Sequence, residues 1–311
     1  MKILATGAAG MLGSSLIPAL VAAGHDVYPT DLVVTTDRPW GPRGPELGKI
    51  DVRSRDEIRR WFGRVNPDFV VHLAAETDVE VCERDQDHAY LTNALGTKFV
   101  ALECQEPEIP LAYVSTAGVF DGEKIEPYTE LDEARPINAY GGSKLAGEHM
   151  VRAHLRRFYI VRAGWMVGGG PKDHKFVAKI LGQIADGQKT LYAVGDKEGT
   201  PTYAPDFSRC FTELIRTRSY GLYHMACLGR GTRYDVAQVI LQTLGRNDIK
   251  LVNVGSEFFQ ESYPAARPRS EMMRNMMLDL QGLNTMRPWR VALGEYLETA
   301  FADLRAAKVA P

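Results

Sequence analysis

Through the first half of this chain, short apolar runs alternate with longer amphipathic stretches. Lys2 to Thr6 reads as a buried strand, and the apolar run Ser14 to Ala23 as the helix after it. Asp26 to Thr30 and Lys49 to Val52 read as the next two strands. Between them, residues 35–49 carry Pro39, Pro42 and Pro45 with several glycines, which is a loop pattern. Residues 54–64 have the spacing of a charged amphipathic helix. Asp68 to Ala75 is a near-continuous apolar run, as in a strand buried on both faces of a parallel sheet. A long helix is expected around Glu83 to Gln105, with Asn93 as a polar residue amid apolar turns, and Leu111 to Ser115 as another strand. This alternation, continued through residue 162, predicts an α/β fold with a doubly wound parallel sheet of Rossmann type.

Beyond Arg162 the rhythm changes. Gly168-Gly169-Gly170-Pro171 marks a crossing out of the first unit. Residues 174–187 and 206–217 read as helices, and Thr190 to Val194 as a strand. Leu222 to Ala226 reads as a strand returning to the main sheet. Ser270 to Ala307 is expected to be mostly helical, with Met272, Met273, Met276 and Met277 as core filler. The expected partition is a dinucleotide-binding domain over 1–165, joined again by about 205–245. A smaller C-terminal substrate-binding domain takes 166–204 and 246–311.

Composition narrows the classes of partner. In 311 residues, 45% hydrophobic and 24% charged side chains are ordinary for a soluble globular protein. A formal net charge of −2 gives no electrostatic reason to expect nucleic acid or an anionic membrane. Cys82, Cys104, Cys210 and Cys227 are scattered without Cys-x-x-Cys spacing, so neither a metal centre nor a disulfide framework is indicated. A reducing cytoplasm is the expected location.

The candidate chemistry begins at Gly7-x-x-Gly10-x-x-Gly13, between the first strand and the first helix. Glycines there let the backbone turn tightly and approach a pyrophosphate, which then rests on the positive end of the helix. The spacing differs from the Gly-x-Gly-x-x-Gly fingerprint. Asp31, about 20 residues further on at the end of a strand, is placed to accept hydrogen bonds from ribose hydroxyls and to repel a 2′-phosphate. NAD is therefore favoured over NADP. Asp51 is expected near the adenine, and small Ala74 and Ala75 leave room for a flat ligand. In Asn138-Ala-Tyr140-Gly-Gly-Ser-Lys144, the tyrosine and lysine share a helix face, so the ammonium is expected to lower the phenol pKa. Such a tyrosine exchanges a proton with a substrate oxygen near neutral pH. The cofactor contacts expected along this edge are Gly7, Gly10, Met11, Leu12, Gly13, Asp31, Asp51, Val52, Ala74, Ala75, Tyr140 and Lys144. His72 reads as a core histidine, and His174 and His224 take no role.

Taken together, these motifs resemble the extended short-chain dehydrogenase/reductase superfamily, and within it the dTDP-4-dehydrorhamnose reductase group. The resemblance rests on the glycine turn, His72-Leu-Ala-Ala-Glu-Thr77, Tyr113-Val-Ser-Thr116, the Tyr140/Lys144 stretch through Glu148, and Arg162-Ala-Gly-Trp165. Gly199-Thr-Pro-Thr-Tyr203 with Asp206, Gly221-Leu-Tyr-His224 and Ala266-Arg-Pro-Arg-Ser270 extend it over nearly the whole chain. It implies a catalytic set of Thr116, Tyr140 and Lys144, with Asn93 in support, and reduction of the 4-keto group of a nucleotide-linked deoxysugar by NAD(P)H. Thr77, Trp165 and Arg267 are the implied substrate contacts, Arg267 for the diphosphate. Trp165 fits a core tryptophan as well as a stacking platform. A homodimer is implied as well.

The group usually reads Ser-Thr-Asp-Tyr where this chain has Ser115-Thr116-Ala117-Gly118. The related dehydratases carry an acid pair after the threonine, which Ala117 and Gly118 cannot replace, so dehydration is disfavoured. An epimerase or dehydrogenase acting on another nucleotide sugar and a non-catalytic cofactor-binding regulatory subunit are the alternatives.

Overall fold

A computed structural model describes residues 1–34 and 39–304. Residues 35–38 of the expected loop and 305–307 of the expected helical tail lie outside them. The first half contains β1 (Lys2–Thr6), α1 (Met11–Ala22), β2 (Asp26–Asp31), β3 (Gly48–Lys49), α2 (Arg55–Val65) and β4 (Phe69–His72). It continues through α3 (Val79–Arg84), α4 (Gln86–Tyr90), a π-helical turn at Leu91–Leu95, α5 (Gly96–Gln105), β5 (Leu111–Thr116), α6 (Ala139–His154) and β6 (Phe158–Ala163). Then come β7 (Trp165–Val167), α7 (Phe176–Ala185), β8 (Thr190–Val194), β9 (Glu198–Gly199), β10 (Pro201–Tyr203), α8 (Ala204–Arg216) and β11 (Gly221–Met225). The chain ends with β12 (Gly231–Thr232), α9 (Arg233–Leu244), β13 (Lys250–Val254), β14 (Ser270–Glu271), α10 (Met276–Leu280) and α11 (Trp289–Ala300).

Seven strands form one parallel sheet in the order β11-β6-β5-β4-β1-β2-β3. One hydrophobic cluster, built around Leu16, Ile17, Phe207 and Phe211, covers one face. A second, with Ile58, Val100, Val151 and Leu155, covers the other. The expected doubly wound architecture is therefore observed, and β11 returns to the sheet beside β6 as its pattern predicts. Strand order reverses between β1 and β4, which run in register from Ile3 opposite Phe69 to Thr6 opposite His72. A crevice at the carboxyl ends of two such strands is where doubly wound sheets take ligands. Smaller sheets pair β7 with β10, β8 with β13, and β9 with both β12 and β14.

Local chemistry sets the helix ends. Ser54 caps α2 by accepting from the Glu57 N–H, and Asn66 closes it in a left-handed conformation. Thr232 and Asp235 form a capping box at α9.

Three expectations need correction. The third strand is Gly48–Lys49, starting one residue before the expected Lys49–Val52 and stopping at Lys49, because only Gly48 and Lys49 pair with Thr30 and Asp31. The helix expected over 83–105 starts at Val79 and breaks at Asp85, whose carboxylate caps α4 by accepting from the His88 N–H. The tail after Ser270 is less helical than expected. Met272 and Met273 are buried but precede α10, at a bridge in which the Tyr128 N–H donates to the Met272 carbonyl. Apolar periodicity shows that a segment is buried; it does not show which neighbour takes up its backbone.

Candidate active site

At the exit of β1, Gly7 has φ of +69°, and a Cβ on it would lie 2.3 Å from the Ala74 nitrogen. The turn is thus pressed against the exit of β4, a contact only glycine allows. Gly13 does the same for the helix, since its Cβ would stand 2.1 Å from the Ala8 carbonyl oxygen. Helix α1 starts without a side-chain cap, so its first N–H groups have no side-chain acceptor. A glycine cradle with an uncapped helix end beside it fits the pyrophosphate of a dinucleotide. Gly10, Met11 and Leu12 line the same cleft with Ala74 and Ala75.

Asp31 reaches this turn from β2. Its Oδ2 accepts from the Ala9 N–H at 2.9 Å and its Oδ1 from the Val33 N–H at 3.2 Å. Asp51 also lines the cleft, but Arg53 holds it at 2.7 Å, and that bond keeps its carboxyl below the usual range. Val52 is buried behind it against Gly96. With a volume of about 1380 Å³, the cleft has room for two ligands end to end.

The catalytic candidates meet in the middle of this cleft. Asn138 caps α6 by accepting from the Gly141 N–H at 2.8 Å, while its amide donates to the Ala266 carbonyl at 2.8 Å. A Cβ on Gly141 would stand 2.0 Å from the Gly118 carbonyl oxygen, so the first turn of α6 lies directly on the segment after Thr116. Tyr140 and Thr116 are thereby brought face to face. Burial pushes the Tyr140 phenol up to about 12, opposed by a hydrogen bond from the Thr116 hydroxyl. Lys144, buried with its Nζ 4.1 Å from the Tyr113 ring centroid, is pulled down to about 7, against the attraction of Glu148.

The expected lowering of the tyrosine by the lysine is therefore overturned in this site. Desolvation penalises the charged form of both groups, raising the phenol and lowering the amine.

Supporting contacts fix these elements. Asn93, in the π-helical turn, accepts from the Glu76 N–H at 2.8 Å and donates to Ser143 Oγ at 2.9 Å, tying the β4 exit to α6. Glu148 and Arg162 form a buried ion pair at 2.7 Å, and Ser115 Oγ donates to the same carboxylate at 2.6 Å. His72 is a core histidine as expected. It bonds Thr6 at 2.6 Å and Thr97 at 3.1 Å, and burial pulls it down to about 3.

The far end of the cleft is built from side chains. Trp165 is both core and wall, being 9% exposed, with its indole N–H donating to Glu271 Oε2 at 2.7 Å. Arg233 stacks over it 3.8 Å from the ring centroid, and burial lowers its pKa to about 10. Thr77 lines the cleft and lies 3.5 Å from Lys175 Nζ. Arg267 lines it too, already paired with Glu80 at 2.7 Å. Sequence reading missed Arg233, Lys175 and Glu271. Glu271 directly follows the Arg-Pro-Arg-Ser stretch, but nothing in the local pattern marks it as a cleft residue. Among the described residues no cluster of His, Cys, Asp or Glu could hold a metal, and the four cysteines are buried thiols.

A parallel sheet with its ligand crevice at the β1/β4 reversal, and a Thr/Tyr/Lys constellation on the crevice wall, are the features of the extended short-chain dehydrogenase/reductase class. The family model described as the RmlD substrate binding domain matches residues 1–301. The chain belongs to that family. It is 31% identical to the spore coat polysaccharide biosynthesis protein SpsK of Bacillus subtilis, over 96% of this chain and 97% of that one. A solved dTDP-4-dehydrorhamnose reductase of Clostridium acetobutylicum superposes with a TM-score of 0.86 at 34% identity, covering 96% of this chain and 99% of the other. The corresponding reductase of Bacillus anthracis, solved in complex with NADP, gives 0.84 at 30% identity with the same coverage.

Proposed function

We propose that this chain reduces the 4-keto group of a nucleotide-linked 6-deoxysugar, of the kind named for its dTDP-4-dehydrorhamnose reductase relatives. The observation that carries this is the meeting of Tyr140 and Thr116 in the middle of a cleft whose one end is the Gly7 cradle. Gly7, Gly10, Gly13, Ala74 and Ala75 would hold a nicotinamide cofactor, which when bound would supply hydride to the ketone carbon.

The chain's own residues supply position and a proton. With a phenol at about 12, Tyr140 is protonated at neutral pH and fit to give its proton to the carbonyl oxygen as general acid. The Thr116 hydroxyl donates to the same oxygen. Lys144, at about 7, exchanges its own proton near neutrality and so suits return of a proton to Tyr140. In the sugar portion, Trp165 and Thr77 would line the ring, and the cationic Arg267 with Lys175 would face the diphosphate.

NADH is the favoured reductant. The Asp31 carboxylate borders the ribose end, where it would repel a 2′-phosphate, even though the B. anthracis relative was solved with NADP. Residues 1–165 with about 205–245 would hold the cofactor, and 166–204 with 246–311 the sugar. A cytoplasmic homodimer belongs to the same reading. Exposed Tyr90, Leu91 and Leu95, on the helical turns outside the sheet, suit a contact between copies, and sedimentation velocity would expose a monomer.

The decisive experiment mixes purified protein with NADH or NADPH and a panel of dTDP-4-keto-6-deoxysugars, and follows loss of the reduced nicotinamide. Oxidation is expected with at least one sugar, faster with NADH. Tight cofactor binding without oxidation by any sugar would instead make the chain a cofactor-binding regulatory subunit.

A further inference from the structure

Ala117 and Gly118 give Thr116 no polar side chain on the two residues after it, yet the space beside it is taken. A Cβ on Gly118 would lie 3.4 Å from Thr116 Oγ1, 3.6 Å from Tyr140 Cδ1 and 3.6 Å from Glu271 Oε1. Three polar side chains, from β5, α6 and β14, thus converge over a residue that has none. Any side chain much longer than a methyl at position 118 would displace the carboxyl. The carboxylate beside Gly118 is thus delivered from β14, more than 150 residues later in the chain.

Glu271 is held in place from behind. Its Oε2 accepts from the Trp165 indole at 2.7 Å; burial raises the carboxyl pKa, and the Trp165 hydrogen bond and Arg233, stacked on that indole, oppose the rise. Among the described residues no hydrogen bond occupies Oε1, and Glu271 lines the cleft. An ionised carboxylate oxygen only accepts. Beside the group that protonates a carbonyl, its natural partner is an O–H one carbon away from that carbonyl.

We propose that Glu271 is a specificity-determining residue. Oε1 accepts a hydrogen bond from a hydroxyl on the carbon adjacent to the carbonyl held by Tyr140 and Thr116. The chain therefore selects α-hydroxy ketones over their deoxy counterparts, and Gly118 is the residue that makes room for the selecting group. A sugar lacking that hydroxyl would fill the cleft and leave this carboxylate oxygen without a partner, which is the condition under which discrimination becomes large. This inference rests on the reductase reading above.

The test compares kcat/KM, with saturating NADH, for a nucleotide-linked 4-keto-6-deoxysugar and its 3-deoxy analogue. The unaltered chain is expected to prefer the hydroxylated sugar by roughly 10- to 100-fold, the range of a hydrogen bond to a charged group. In Glu271→Ala the ratio should collapse to within about threefold. Glu271→Gln, which keeps an oxygen for Trp165 and so protects the fold, should fall between the two. Cofactor affinity, read by fluorescence, is the control that the variants are folded. Discrimination unchanged in both variants overturns the inference and leaves the reductase reading standing. Failure of the unaltered chain to turn over either sugar overturns the reductase reading and this inference with it.

Discussion

Where the cleft meets Gly7, Gly13 and Ala74, the backbone itself forms the wall; where it meets Trp165, Arg233 and Glu271, side chains do. At the first end the close approaches are between main-chain atoms, such as the 2.3 Å that would separate a Gly7 Cβ from the Ala74 nitrogen. At the second they are an indole N–H on a carboxylate at 2.7 Å and a guanidinium over an indole at 3.8 Å. A backbone wall fits the part of a ligand that is the same in every dinucleotide, and it tolerates almost no change in sequence. A wall of side chains can be rebuilt one residue at a time. The two halves of the cleft therefore differ in kind, one walled by main chain and the other by side chains.

Tyr140 and Thr116 stand where the halves join, and removing Tyr140, the proposed proton donor, should give the largest effect. Tyr140→Phe is expected to lower kcat roughly 10²- to 10⁴-fold, with cofactor affinity held within a few-fold. Steady-state kinetics beside a fluorescence titration of NADH would check it, and near-normal turnover would remove Tyr140 from the chemistry.

The next prediction tests the rigidity of the backbone half. Gly7→Ala must place a side chain at φ of +69° and against the Ala74 backbone. It should cost about 2–5 kcal/mol of stability and weaken cofactor binding together with it. Denaturant unfolding with and without NADH would reveal a tolerant turn if the midpoint did not move.

The smallest expected change is at Asp31, whose carboxylate accepts from the Ala9 N–H at the glycine turn. Asp31→Ala should shift the ratio of NADPH to NADH efficiency upward by roughly tenfold, since it removes both a charged acceptor and a repulsive charge. An unchanged ratio would mean that Asp31 serves only the Ala9 and Val33 amides.

These halves also differ in how well they could be read beforehand. Gly7, Asp31, Ala75 and Thr116 each lie at or just past a strand end, and in a parallel sheet all such ends open on one edge. The position of each was therefore implied by the strand pattern alone. Tyr140 and Lys144 were legible for a similar reason, because helix periodicity puts them on one face. Their protonation was not. Burial decides it, raising Tyr140 and lowering Lys144, and burial depends on segments remote in sequence. Helix boundaries failed where side chains intervened, as at Asp85, whose carboxylate starts a new helix inside the stretch expected to be one.

What the sequence by itself determined is the doubly wound sheet, the edge on which the glycine turn, Asp31 and Thr116 line up, and the helix that carries Tyr140 and Lys144. All of these follow from short-range periodicity and from the fixed geometry of strands in parallel register. What only the tertiary structure decided is the half of the cleft walled by side chains. Glu271 reaches the vacancy above Gly118, and Arg233 stacks on Trp165, through packing between elements that share no local pattern. Such contacts depend on where whole elements dock, and docking is set by the shape of the packed core.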